Sequence, residues 1–259
     1  MKIYISTDME GISGVVIPEQ APPHRNGADY EGARRLLAGD INAAVEGALK
    51  AGAEEIVVMD GHGGGYNFLI EELRPGARYI TGPGRLESYP GLDGSFDAVL
   101  LLGYHAMAGT RAAVLDHTSS ASRWYRYSVN GVEMGEVGQA ALIAGHYDVP
   151  VVFVSGDKAV CDEARALLGD IEVAVVKEAF TRTCASLLSL PTARQLITEQ
   201  VARSLSNIEG RSPYKTDLPA ELKLETHSTA DADAFERSGW RRLAGCTVVK
   251  TVHRALDVI

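Results

Sequence analysis

The chain has 259 residues, enough to bury about three quarters of its unfolded surface without disulfide bonds. Apolar residues make up 46% and charged residues 23% of it, as in ordinary globular proteins. The net charge is −9 and no basic stripe is visible, so we expect neither nucleic acid nor a membrane as a partner. Nor does any apolar run approach the length of a bilayer-spanning helix.

The cysteines and the first residues indicate a cytoplasmic protein. Cys161, Cys184 and Cys246 are widely spaced and form no CxxC pair, which is typical of reduced, structural thiols. The first residues lack a basic segment followed by an apolar one, so they do not resemble a secretory signal. We therefore expect a cytoplasmic location.

In the first 180 residues the apolar pattern alternates between buried strands and amphipathic helices. Strands are predicted over the first seven residues and at Glu55–Asp60, Phe96–Tyr104, Pro150–Ser155 and Glu172–Lys177. Helices are predicted over Tyr30–Lys50, from Gly135 to Gly145 and over Ala159–Leu168. A loop is predicted over Pro18–Asn26, and Asn130-Gly131 predicts a hairpin within Arg123–Met134.

After residue 180 the pattern becomes more mixed. Helices are predicted over Thr192–Leu205 and Thr229–Arg237, and strands over Leu222–Thr226 and Gly245–Val252. We therefore predict an α/β protein with a three-layer parallel-sheet core and a smaller C-terminal α+β unit. The domain boundaries follow from this pattern: residues 1–180 form a metal-binding α/β catalytic domain and residues 181–259 a smaller α+β domain.

Polar side chains follow three of the predicted strands. Asp8 and Glu10 come directly after the first, Asp60 and His62 stand at the end of the second, and His105 follows the third. Ligand sites in open α/β sheets form beyond the carboxyl ends of the strands. Each residue alone fits an ordinary solvated strand end. Together, the carboxylates and imidazoles form a ligand set suited to zinc.

Three further residues allow more than one interpretation. His117 ends a short apolar run and fits either a partly buried structural histidine or a catalytic one. Glu136 opens a predicted helix, where a carboxylate is favoured by the helix dipole even without a function. Asp60 fits either a carboxylate that orients an imidazole or an ordinary strand-end acid.

The chain resembles the DppA-type D-aminopeptidases, a family of dinuclear zinc metallopeptidases. The resemblance covers most of residues 1–180 and is weaker beyond. The sequence segments that carry the resemblance are MKIYISTDMEGISGV at the start, DGH at 60–62, LLGYHAMAGT at 101–110, LDHT at 115–118 and VNGVEMGEVGQAALIAGHYDVPVVFVSGD at 129–157.

The resemblance implies a role for each candidate residue. Asp8 would bridge two zinc ions, and their remaining ligands would be Glu10, His62, His105 and Glu136. His117 matches the family's catalytic histidine, proposed there as the nucleophile. Chemical grounds slightly favour a general base instead, because a metal-bound hydroxide is already a competent nucleophile, and sequence does not decide between the two roles.

The resemblance also implies an activity and an assembly. It implies a metallo-aminopeptidase that removes N-terminal D-residues from short peptides such as D-Ala-D-Ala. It further implies a homo-oligomer, in the form of a decameric ring with enclosed active sites. Two alternatives stay open: another dinuclear metallohydrolase, such as a phosphoesterase or an amidase, and a non-catalytic peptide-binding component of a transport system.

Overall fold

The computed structural model describes residues 1–22 and 27–259, so the predicted loop Pro18–Asn26 lies partly outside the described residues. Its strands are β1 (Lys2–Thr7), β2 (Glu55–Asp60), β3 (Arg78–Ile80), β4 (Ala98–Tyr104), β5 (Trp124–Val129), β6 (Val132–Glu133), β7 (Val151–Asp157), β8 (Glu172–Thr181), β9 (Cys184–Leu187), β10 (Ala220–Thr226), β11 (Arg241–Ala244) and β12 (Thr247–Val252). The helices are α1 (Ala28–Lys50), α2 (Glu136–His146), α3 (Lys158–Leu168), α4 (Leu190–Ser206) and α5 (Thr229–Arg237).

The main sheet has the strand order β3-β2-β1-β4-β7-β8-β9. Its neighbouring strands run parallel, except that β9 pairs with β8 in the antiparallel direction. Strand β1 lies between β2 and β4, with Thr7 in register with both Asp60 and Leu102. This order places the carboxyl ends of β2, β1 and β4 side by side.

The core lies on both faces of this sheet. Ile3 and Ile5 of β1 pack on one face with apolar side chains of α1 and α4. Tyr4, which points the opposite way, packs with side chains of α2, α3 and the second sheet. Strands buried on both faces explain the continuous apolar runs in the sequence. The predicted three-layer α/β core is confirmed.

A second, antiparallel sheet has the order β11-β12-β10-β5-β6, and α5 packs on it. Its strands come from residues 124–133 and from residues 220–252. Strand β9 and helix α4, which lie beyond residue 180, belong instead to the main sheet and the helices that cover it. The two sheets are therefore not divided at residue 180, and the domain boundary there stays a prediction.

Three short strands, β3, β9 and β11, are absent from the sequence-based prediction. All three are edge strands of three or four residues, and most of their residues are partly exposed. A short strand at an edge is defined by its pairing partner, and it carries no continuous apolar run. Within the described part of the chain, no helix is long and apolar enough to cross a membrane.

The loop after β1 packs directly on the end of β4. Gly11 donates its backbone N–H to the carbonyl of Gly103 at 2.8 Å, and Asp8 donates to the carbonyl of Leu102 at 2.8 Å. A Cβ atom at Gly11 would overlap the carbonyl oxygen of Tyr104. Glycine at position 11 therefore allows the loops that carry Asp8 and His105 to touch.

Replacing Gly11 with alanine should force these two loops apart. We expect Gly11→Ala to lower the free energy of unfolding by about 1–3 kcal/mol, the usual cost of overpacking. Gly32→Ala in α1 is the matched control, because a Cβ atom there meets nothing within 4 Å. This substitution should stabilise the helix by up to about 1 kcal/mol. Urea unfolding at one fixed protein concentration measures both, and equal stability of the two variants would contradict the close contact.

Candidate metal centre

The strand order places one carboxylate between two imidazoles. Asp8 directly follows β1, His105 directly follows β4, and His62 lies two residues beyond β2. Because β1 is flanked by β2 and β4, Asp8 has an imidazole on each side. The sequence places each residue at a strand end, but only the order of the strands brings the three together.

The distances define two groups that share Asp8. On one side, His62 Nδ1 lies 3.0 Å from Asp8 Oδ1 and 3.2 Å from Glu10 Oε2. On the other side, His105 Nε2 lies 3.3 Å from Asp8 Oδ2 and 3.2 Å from Glu136 Oε1. The two oxygens of Asp8 thus face different imidazoles, the arrangement of a carboxylate shared by two cation sites.

Several of these atoms are buried and lack a hydrogen-bond partner. Within the described residues this holds for Asp8 Oδ2, Glu10 Oε2 and His105 Nε2. Leaving such groups unsatisfied costs free energy, so they point to a ligand that completes them. A divalent cation between the converging oxygens and nitrogens would do so. The donor set is oxygen and nitrogen alone, which suits zinc.

The charges of the cluster depend on one another. Burial raises the pKa of Asp8, and the nearby charge of Glu10 raises it further. Burial also opposes ionisation of Glu136, but the positive charge of His105 outweighs it and lowers the pKa of that carboxyl to about 2. For His105, burial is outweighed by Glu136, and the imidazole pKa lies well above its usual value. The carboxylates therefore require positive charge beside them.

His117 lies beside this cluster. Its ring stacks on that of His105, with 3.8 Å between centroids, and its Nε2 is 3.8 Å from Glu136 Oε1. Its Nδ1 is 2.9 Å from the carbonyl oxygen of Leu115, to which it donates. That hydrogen bond leaves the Nε2 lone pair free to accept a proton, to attack a carbon or to bind a metal.

The loop that carries His117 has an unusual backbone. Ala112, Leu115 and Ser119 have φ values of 49°, 52° and 55°, the left-handed region that non-glycine residues rarely adopt. The Ser119 N–H donates to Glu136 Oε1 at 2.7 Å, which ties this loop to the start of α2. Strain of this kind persists where the surroundings hold the backbone in place, and it is common at active sites.

The predicted site residues thus lie together. Ligand atoms within 4.8 Å of one another form two sets, Asp8–Glu10–His105 and His105–His117–Glu136, and His62 contacts the first set. The second set includes His117, so its position is compatible with a ligand as well as with a catalytic base. The separate roles of these six residues stay predictions.

Asp60 does not orient an imidazole. Its carboxylate accepts hydrogen bonds from the backbone and side-chain nitrogens of Asn67, at 2.6 and 2.7 Å. The Asn67 amide in turn donates to the carbonyl of His62 at 2.9 Å. Asp60 therefore fixes the backbone of the Gly-rich loop that carries His62, and it acts on the site only through that loop.

A buried lysine that sequence reasoning missed holds the loop after β1. Lys177 in β8 is only 2% exposed, and its Nζ donates to the carbonyls of Glu10, Ile12 and Val15 at 2.6, 3.0 and 2.6 Å. Burial lowers the pKa of Lys177 to about 8. The three carbonyls match the three N–H groups of an ammonium. The sequence pattern that could have revealed this residue is a lysine at the end of a predicted, continuous apolar strand.

Two more buried acids hold neighbouring loops. Asp157 accepts from the backbone N–H of Val114 at 2.6 Å, three residues before His117. Glu163 in α3 accepts from the Met107 N–H at 2.8 Å, just beyond His105. Burial raises the pKa of Glu163 to about 7. No local pattern marks these two residues, because their partners lie more than 40 positions away in the chain.

The α/β fold and the converging carboxylates and imidazoles define a candidate metal centre at the carboxyl ends of β2, β1 and β4. Comparison with known proteins gives the family. The family model described as D-aminopeptidase, peptidase family M55, matches residues 1–259. The chain belongs to this D-aminopeptidase family.

Two relatives are similar over nearly the whole chain. A D-aminopeptidase of Bacillus subtilis (strain 168) is 33% identical over 252 residues, which cover 97% of this chain and 88% of that one. A solved structure, the Zn-dependent D-aminopeptidase DppA from Bacillus subtilis, described as a self-compartmentalizing protease, superposes with a TM-score of 0.94. It is 32% identical, and the match covers 100% of this chain and 94% of that one.

Removing the charge of Lys177 should loosen the loop that carries Glu10. We expect Lys177→Met to lower the free energy of unfolding by at least about 2 kcal/mol, because three buried carbonyls lose their donor. It should also weaken retention of bound zinc during dialysis. Lys158→Met, at an exposed ion pair with Asp162, is the control and should keep the wild-type midpoint and metal content. Urea unfolding and elemental analysis measure both effects; wild-type behaviour of Lys177→Met would refute this role.

Proposed function

We propose that this chain is a zinc-dependent aminopeptidase that releases N-terminal D-residues from short peptides such as D-Ala-D-Ala. One observation carries the proposal: the two oxygens of Asp8 face His62 and His105 on opposite sides. Membership of the D-aminopeptidase family supports it as well. The stereochemistry and the substrate length rest on the family alone, since residue types do not encode them.

Five residues would hold two zinc ions. Asp8 would be shared, His62 and Glu10 would serve one ion, and His105 and Glu136 the other. Within the described residues, the buried atoms of Asp8, Glu10 and His105 that lack a hydrogen-bond partner support this assignment. When bound, zinc would supply a Lewis acid, to which the lone pair of a neutral N-terminal amine can bind and which polarises the scissile carbonyl.

The protein's own contribution to the reaction centres on His117. Because its Nδ1–H donates to Leu115, Nε2 has a lone pair that can accept a proton from an attacking water molecule. Glu136, 3.8 Å away, would stabilise the imidazolium that results. We propose this base role, although the same lone pair fits direct attack on the carbonyl. A covalent intermediate with burst kinetics would favour the direct attack.

The assembly and location are also proposals. The structural relative is a self-compartmentalizing protease, which supports a homo-oligomer here and, as the finer proposal, a decameric ring. The cysteines form no disulfide in the described residues, which supports a reducing compartment such as the cytoplasm.

The proposed function requires both a divalent metal and a free N-terminal amine. A chelator should abolish peptide hydrolysis, and added zinc should restore it. D-Ala-D-Ala should be cleaved much faster than its N-acetylated form, because acetylation removes the amine that binds the metal. Chromatographic assay of released alanine measures these rates, with L-Ala-L-Ala as the stereochemical comparison.

Each contrary result of this assay points to a different correction. Equal cleavage of free and acetylated peptides would indicate an endopeptidase or amidase. A preference for L-Ala-L-Ala would reject only the D-selectivity. Hydrolysis of p-nitrophenyl phosphate without peptide cleavage would indicate a phosphoesterase.

His117 should be needed for turnover and not for metal binding. We expect His117→Ala to lower kcat by about 100-fold or more, the range for loss of a general base or nucleophile. Its zinc content, measured by elemental analysis, should stay near two per chain. Asp8→Ala is the contrasting variant and should lose more than one zinc equivalent. Loss of zinc from His117→Ala would make His117 a ligand.

A further inference from the structure

Two cavities open from the candidate metal centre. The first, of about 440 Å³, is lined by Asp8 and Glu136 and reaches Arg85; we call it the Arg85 cavity. The second, of about 350 Å³, is lined by Asp8, Glu136 and His117; we call it the His117 cavity. Small-molecule sites have volumes in this range. A substrate held at the metal centre can therefore extend into either cavity.

The wall of the Arg85 cavity carries a row of hydroxyl groups. The Tyr104 hydroxyl is 2.8 Å from Ser6 Oγ and 3.0 Å from the Tyr89 hydroxyl. All three residues are less than 9% exposed and line the cavity. The chemistry of this cavity suits a group that accepts hydrogen bonds.

Gln139 adds a donor that lacks a partner. It lies in α2, one turn beyond Glu136, is fully buried and lines the same cavity. Its Oε1 accepts a hydrogen bond from Ser119 Oγ at 3.3 Å, whereas Nε2 has no partner within the described residues. A buried amide N–H without an acceptor is costly and points to an acceptor on a bound ligand.

Arg85 brings a positive charge that has no ion-pair partner among the described residues. Its guanidinium donates to the carbonyls of Gly82 and Asp60 and to the sulfur of Met59. Throughout the described ranges, no carboxylate lies within ion-pair distance of it. A guanidinium has five N–H groups, so two stay available, and planar pairs of this kind suit a carboxylate.

The arginine of the other cavity differs in this respect. Arg182 lines the His117 cavity, but its Nε lies 3.1 Å from Asp116 Oδ1 and its Nη2 donates to the Asp116 carbonyl. Its charge is already balanced by a neighbour. Glu87 also lines the Arg85 cavity, but among the described residues neither it nor any other carboxylate forms an ion pair with Arg85. The two arginines therefore differ, and Arg85 is the one available to an anion.

We propose that the Arg85 cavity binds the C-terminal carboxylate of the peptide substrate. This inference rests on the proposed aminopeptidase function and names its substrate class: dipeptides, and other peptides short enough to place a free terminus beside the metal centre. The amine would be held at the centre, the carboxylate would accept from the free N–H groups of Arg85, and Gln139 Nε2 would donate to it or to the adjacent carbonyl. A long peptide could not place its terminal charge there, because each residue adds about 3.5 Å.

The test compares D-Ala-D-Ala with its C-terminal amide. We expect the wild-type zinc enzyme to have a kcat/KM about 10- to 100-fold higher for the free acid, the range for a charge-assisted hydrogen-bond pair. Arg85→Gln should remove most of this preference by raising KM for the acid, while the amide changes little. Arg85→Lys keeps the charge and should retain part of the preference. Arg182→Gln is the matched control and should leave the ratio of the two peptides unchanged.

Three results would overturn the proposal, two with the original pair of peptides and one with a third peptide. One is a wild-type enzyme that treats acid and amide alike. The other is an Arg85→Gln variant that loses activity on both peptides in the same proportion, which would mean that Arg85 only holds the loop at Gly82 and Asp60. An amide whose second residue is D-aspartate separates the two sources of carboxylate: if it is cleaved as fast as the free acid, the cavity selects a side chain and not the terminus.

A binding measurement separates this proposal from the proposed function. Calorimetric titration of the zinc-loaded protein with the acid and the amide should give tighter binding of the acid, and Arg85→Gln should abolish the difference. If neither peptide is cleaved but the acid still binds more tightly, the aminopeptidase function fails and the carboxylate site stands. If both peptides are cleaved but bind equally, the carboxylate site fails and the function stands.

Discussion

The structure depends on the convergence of three carboxylates, the buried Asp8 and Glu10 and the partly exposed Glu136, on two imidazoles. Carboxylates so close to one another repel, and burial increases the cost of their charge. His62 and His105 supply part of the compensation. The oxygens and nitrogens that face each other without hydrogen bonds indicate that cations complete it. The arrangement of the surrounding loops follows from the need to hold these charges together.

Each loop that brings a residue to the centre is held by a buried polar or ionisable group. Lys177 binds the loop of Glu10, Asp157 binds the loop before His117, Glu163 binds the segment after His105, and Asp60 binds the loop of His62 through Asn67. Lys177, Asp157 and Glu163 bind backbone atoms of these loops, and Asn67 links Asp60 to the backbone carbonyl of His62. Catalytic groups have to be held within a fraction of an ångström, which loops achieve only with such support.

The cavities beside the metal centre can accommodate a substrate whose two ends differ in charge. An aminopeptidase recognises a free amine, and a short peptide also presents a carboxylate a few ångströms away. Arg85, which lacks a carboxylate partner among the described residues, and Gln139, whose Nε2 lacks a hydrogen-bond partner there, line one cavity together with the hydroxyl wall, and His117 lines the other. A site that binds the amine at the metal centre and the carboxylate in the cavity would favour short peptides. This selection would not require a wall that blocks longer ones.

The sequence alone determined the α/β class, the main helices and buried strands, and the strand-end positions of Asp8, His62 and His105, because these follow from local periodicity and residue type. The similarity of its motifs to those of a known family indicated His117 and Glu136. Tertiary structure alone decided that β1 lies between β2 and β4, and therefore that Asp8 faces two imidazoles. It also decided the edge strands, the composition of the second sheet, and the contacts of Lys177 and Arg85. Each of these is set by partners distant in the chain, and local patterns carry no record of such contacts.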